Sequence, residues 1–177
     1  LFEAEGEYVS SPAIVDMDND NDLEVVVASA GDYIYALRPD GGYFWSDPYG
    51  DDVIDYLGQT AGTSGLDFDP PHIMASIIAA DVNLGDTPEI IVGVKDGALC
   101  LGSDGEKQWK KGLTTGYYFS TPRITDLEGE WTGEKEDLEI VLASDDEGRK
   151  GWIEAFEVDG GAIFREEAPT GGEGGLI

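Results

Sequence analysis

Between Asp16 and Glu24 the chain reads Asp-Met-Asp-Asn-Asp-Asn-Asp-Leu-Glu, with an acid at every second position. Carboxylates this close repel one another: at an effective dielectric near 20, one pair about 4 Å apart costs about 4 kcal/mol. A cation at their centre removes that cost. The ligands on offer are hard oxygens, with no His or Cys among them, which selects Ca²⁺ over zinc or copper. Mg²⁺ is disfavoured because it takes few protein ligands and keeps its waters. A merely solvated acidic turn gives no reason for strict alternation. An EF-hand is excluded, since that motif needs Gly at its sixth position and a bidentate Glu at its twelfth. Here the sixth residue is Asn21, and Val25-Val26-Val27 follows the last acid at once. That apolar run reads as a buried strand, so the loop joins two strands.

Comparing the chain with itself shows the same design three times. Ser11–Asp16, Ser76–Asp81 and Thr121–Asp126 each lead into a loop, and each loop ends on a Glu that opens an apolar run: Glu24–Ala28, Glu89–Gly93 and Glu139–Ala143. A second half follows. Tyr33–Leu37, Ala98–Leu101 and Trp152–Phe156 lead to Asp40-Gly41, Asp104-Gly105 and Asp159-Gly160, with Trp45, Trp109 and Phe164 four residues beyond the Gly. Asp-Gly between alternating apolar runs is a hairpin signal. Each unit therefore reads as four short strands, A to D, with Gly31-Asp32 and Asp96-Gly97 turning B into C. Four-stranded meanders repeated along a chain are the pattern of β-propeller blades. No segment carries a helical period. The expectation is an all-β chain of about three blades, each a four-stranded antiparallel sheet, within a larger propeller.

The units resemble FG-GAP/VCBS-type repeats, the calcium-loop β-propeller repeats of integrin α-subunits and of many bacterial and archaeal surface proteins. Ser11-Pro12-Ala13 stands where that family carries its Phe-Gly and Gly-Ala-Pro signatures, so the resemblance is to the broader calcium-loop group. It implies that the side chains of Asp16, Asp18, Asp20 and Glu24 hold Ca²⁺, with Asp22 contributing through its main chain. In the second loop Asp81, Asn83 and Glu89 take the matching places, while Gly85 replaces one acid and Asp86 falls one place late. In the third, Asp126 and Glu139 bracket a longer stretch with Glu128 and Glu130, interrupted by Trp131-Thr132-Gly133; there a plain acidic surface loop is the competing account. The chain's only Asn residues, Asn19, Asn21 and Asn83, all fall inside the first two loops.

As a domain plan, residues 1–177 form a single partial propeller. Residues 1–10 end a preceding blade, 11–46 are a blade with the calcium loop, and 47–75 are an inserted loop. Residues 76–112 and 121–165 are further blades, and 166–177 link to the next. Three blades do not close a ring, which takes at least four; further blades are expected from a longer chain or from other chains. The insertion is rich in Pro, Gly and Asp and belongs on the end opposite the calcium loops. Its Tyr49, Tyr56, Leu57 and Phe68 are either ligand contacts or pins that hold the loop down.

Charge narrows the partners. Lys and Arg number 10 against 38 Asp and Glu, a formal charge of -28. Nucleic acid and anionic membranes need basic surfaces and are excluded as partners. No apolar run approaches the ~20 residues that span a bilayer, and Cys100, the single cysteine, has no partner for an internal disulfide. The expected role is a calcium-binding module, extracellular or on the cell surface, acting in adhesion, structural assembly, or binding of a protein, a glycan or neighbouring subunits. The alternative is the propeller domain of a secreted polysaccharide lyase or hydrolase. No acid pair stands out for that chemistry, and the one His, His72, sits in the insertion with no marked partner Ser, so no catalytic residue is assigned. Cys100 aligns with Ala36 and Ala155, which points to packing. Trp45 and Trp109 raise a quinone-cofactor propeller, but repetition at one blade position is better explained by packing between blades.

Overall fold

The computed structural model describes residues 10–29, 33–45, 73, 75–83, 85–95, 97–112, 116–118, 120–127, 138–146 and 150–168. These residues form β-strands and turns, without a helix among them. The first sheet runs β1 (Ala13–Val15), β2 (Glu24–Ala28), β3 (Ile34–Leu37), antiparallel and in chain order. The second runs β4 (Ile78–Ala80), β5 (Glu89–Val94), β6 (Gly97–Leu101), β7 (Lys107–Lys111) in the same way. The third contains β8 (Gly116–Tyr118), β9 (Arg123–Thr125), β10 (Glu139–Asp146), β11 (Gly151–Glu157) and β12 (Ala162–Glu167). Strand A ends one residue before the first loop acid in all three units, and strand B opens on the Glu in all three.

Two departures from four strands per unit appear. In the first unit, strand D is reduced to a bridge, Leu37 to Tyr43, followed by Phe44 N–H donating to Ala36 C=O at 2.8 Å. The described part of that edge stops at Trp45. In the third unit strand A comes in two pieces: β9 pairs with Glu139–Val141 of β10, and β8 pairs with Ser144–Asp146. At the gap, Ala143 N–H donates to the Ser120 hydroxyl at 2.7 Å. The first unit repeats this, Ala28 N–H donating to Ser10 Oγ at 3.1 Å. A side-chain oxygen stands in for the ladder carbonyl where strand A steps away, so no strand-B amide is left unpaired there. In the second unit Ala75 takes that place, and Ile73 bridges Val94 beyond it.

The sheets stack face to face in chain order. Every residue of β5 and β6 is buried. Their side chains alternate between two cores, as the period of two in a strand requires. Ile90, Val92, Leu99 and Leu101 pack with Met17, Val26, Ile34 and Ala36 of the first sheet. Ile91, Ala98 and Cys100 pack with Ile140, Leu142 and Phe156 of the third. Burial on both faces explains why these strands read as unbroken apolar runs. The conserved-phase aromatics cross the junctions. Trp45 Nε1–H donates to Ser103 C=O at 2.8 Å, and Trp109 Nε1–H donates to Val158 C=O at 2.9 Å. Each acceptor is the residue just before the Asp-Gly turn of the following sheet. Gly160 lies under the Trp109 ring: a Cβ there would sit 3.0 Å from Trp109 Cδ2. The three sheets do not close on themselves. His72, Tyr49, Tyr56, Leu57, Phe68, Gly31-Asp32 and Asp96 lie outside the described residues.

Candidate metal centre

The first loop is built by its own side chains. Val15 pairs with Glu24 across β1 and β2, so the two ends of the loop are held side by side. Asp16 Oδ1 accepts from Asp20 N–H at 3.2 Å and Oδ2 from Asn21 N–H at 2.9 Å. Asp20 Oδ1 accepts from Asp22 N–H at 2.8 Å. The chain turns through left-handed backbone at Asn19 (φ 61) and Asn21 (φ 73). Asn tolerates this conformation better than other non-glycine residues, which gives the loop's two Asn residues a backbone role. Asn19 Nδ2 also donates to Asp86 C=O, tying the first loop to the second.

Glu24 is 2% exposed, and its Oε2 accepts from Met17 N–H at 2.9 Å. Carboxylate oxygens of Asp16, Asp18 and Glu24 all lie within 4.8 Å of one another. Oxygens sharing one metal ion stand at most about 5 Å apart, so the spacing of this trio admits a metal ion. Asp20 and Asp22 are exposed and stand outside the trio.

The second loop keeps the frame and changes the ligands. Asp81 Oδ1 accepts from Gly85 N–H at 2.9 Å, as Asp16 accepts from Asp20. Glu89 Oε2 accepts from Val82 N–H at 3.1 Å, and Asn83 Nδ2 donates to its Oε1. Where the first loop turns the Asp18 carboxylate toward Glu24, the second closes with an amide. Burial pushes the Glu89 carboxyl above its ordinary value, the amides of Val82 and Asn83 pull it down, and Asp81 adds to the rise. Asp86 is exposed. In the third loop Leu127 N–H donates to Glu139 Oε2 at 2.6 Å and Asp126 is half-buried; Glu128, Glu130 and Trp131-Thr132-Gly133 lie outside the described residues.

One bond is thus made three times: the Glu that opens strand B accepts from the amide just after the first loop acid. Reading these three Glu residues as ligands alone missed it. The signal was available, because the Glu holds its place before strand B in all three units while the other acids vary. Cys100 is buried, and its thiol is pushed up to about 12, first by burial and then by Glu89. A thiol that stays protonated is a packing group.

No family model matches the chain, and no curated protein matches it significantly. Among solved structures it is similar to the Vibrio cholerae biofilm matrix protein Bap1, with a TM-score of 0.41 and 16% identity over 89% of this chain. The chain spans 28% of the length of that protein's chain.

Proposed function

We propose that the chain is a calcium-stiffened module of FG-GAP-type propeller blades, working outside the cell or on its surface in adhesion, structural assembly, or protein or glycan binding. The observation that carries this reading is the convergence of Asp16, Asp18 and Glu24 at the β1–β2 corner. Both oxygens of Asp16 and Oε2 of Glu24 already accept from loop amides, so folding fixes where these two carboxylates stand. A cation there neutralises charge that the fold has gathered. Asp20 and Asp22 complete the proposed ligand set. Asp81, Asn83, Asp86 and Glu89, and more weakly Asp126 and Glu139, are the corresponding candidates in the other loops. The role is mechanical and non-catalytic: calcium binds the folded loop and stabilises it by linkage.

Scanning calorimetry with calcium and with chelator tests this. Calcium at about a hundred times its Kd adds about 2.7 kcal/mol, a rise in Tm of about 5–11 °C for a chain of this size. Magnesium should give a smaller rise. Asp18→Asn, which leaves the loop's amide bonds in place, should remove most of the calcium increment. A Tm indifferent to calcium overturns the metal reading.

A further inference from the structure

The two inner junctions show which blade positions meet when one sheet packs on the next. On the giving side they are the residue after the first loop acid, Met17 and Val82, and a residue of strand C, Ile34 and Ala98, all fully buried. On the receiving side they are a strand-A residue, Ala79 and Ile124, and the residue after the loop Glu, Ile90 and Ile140. The third sheet has a giving side on which, among the described residues, no sheet packs. Leu127 and Ile153 hold the giving positions there and are 46% and 43% exposed. The first sheet has a receiving side in the same condition. Ile14, in the place of Ala79, is 64% exposed, and Leu23 is 54% exposed. Val25, the cross-strand partner of Ile14 and the counterpart of Ile90, is only half-buried. Val27, Tyr35 and Leu37 on that side are buried, so its opening lies at the Ile14 and Leu23 end, beside the acidic loop.

We infer that the outer side of the third sheet seats on the outer side of the first sheet of a second copy of this chain, head to tail. The occupant follows from the equivalence of positions: one chain carries an open half of each kind, and its inner junctions show that the two halves fit. Contact removes Ile14, Leu23, Leu127 and Ile153 from water. Arg123, exposed and in one cross-strand row with Val141, offers a cation to a copy whose first loop exposes Asp20 and Asp22. Phe164 stands where Trp45 and Trp109 stand, and has no N–H to give to Pro39, the residue before the first Asp-Gly turn. This contact is therefore weaker than the inner ones. A giving side on a different, receiving side is a heterologous contact, which closes a ring or runs on as a fibre. The inference rests on the structural-assembly part of the proposed role and not on calcium.

Sedimentation velocity of the 177-residue chain across the micromolar range tests it. At about 1 M salt the screening length of about 3 Å suppresses repulsion between copies of charge -28. The parent should form species larger than one copy. Ile14→Asn blocks the receiving side and Leu127→Asn the giving side, and each should weaken association at least about tenfold. Mixed in equal amounts, the two variants should recover a species of two copies and nothing larger, because each keeps the side the other lacks. Circular dichroism checks that both are folded. Should either misfold, Phe164→Trp, which supplies the missing N–H, should tighten association of the parent about fivefold. A parent that stays a single copy assigns these sides to another chain or a glycan and overturns the inference. So does undiminished association of either variant, no recovery on mixing folded variants, or association unchanged by Phe164→Trp. A single-copy chain whose Tm still rises with calcium would leave the metal reading standing.

Discussion

At the residue scale, the loop glutamates do two things that substitution can separate. Glu24 ties the loop through Met17 N–H and also turns an oxygen toward Asp16 and Asp18. Glu24→Gln keeps an acceptor for the amide and loses the charge. It should leave the calcium-free Tm nearly unchanged and cut the calcium increment. Glu24→Ala strands a buried amide and should lower calcium-free stability by about 1–3 kcal/mol in denaturant unfolding. Glu89 gives a pH signature. Its folded-state value is raised above the ordinary 4.5, chiefly by burial. Its favourable contribution is fully present below the unfolded value and is lost as pH rises through the raised folded one. Without calcium, Glu89→Gln should therefore be more stable than the parent at pH 7, and the difference should vanish near pH 4. Equal stability at both pH values would contradict the burial effect. The alternating acids made this corner legible in the sequence, because charge repulsion needs only spacing to be recognised. The amide partners of Asp16 were not legible, since its hydrogen bonds to Asp20 and Asn21 depend on left-handed backbone at Asn19 and Asn21.

At the element scale, strand positions followed from sequence wherever a Glu or an Asp-Gly pair marked an end. The break in strand A did not, because a Ser hydroxyl bonding Ala28 or Ala143 looks like any other Ser before the fold is known. Nor did the short fourth strand of the first unit, whose Asp40-Gly41 turn matches the others. The tryptophans are the elements' connectors. Trp109→Phe keeps an aromatic ring but loses part of the indole and the bond to Val158 C=O, and should cost at least about 1 kcal/mol. Trp109→Ala also empties the contact over Gly160 and should cost about 3–5 kcal/mol. The middle sheet is the most sensitive: Ile91→Ala, fully buried against the third sheet, should cost about 2–5 kcal/mol. Ile153→Ala, at 43% exposure, should cost much less. Chemical denaturation ranks all four, and equal costs at Ile91 and Ile153 would deny the two-faced burial of the second sheet.

At the scale of the whole molecule, the charge of -28 opposes compaction. Raising salt from about 0.1 to 1 M shortens the screening length from about 10 to 3 Å. Without calcium this should raise Tm by several degrees, and a smaller salt effect with calcium bound would locate part of the repulsion in the loops. The stacking of sheets in chain order was legible as a repeat. The stack's open outer sides were not, since Ile14 and Leu127 are both ordinary apolar residues until their exposure is seen. The indole bonds also give the stack a direction. Trp45 belongs to the first sheet and grips the second; Trp109 belongs to the second and grips the third. The first two sheets carry the hooks, and the second and third offer the eyes. Damage to a later sheet strips its predecessor of a whole ring's cover, whereas damage to an earlier one hands a turn carbonyl to water. Unravelling from the two ends should thus follow different courses.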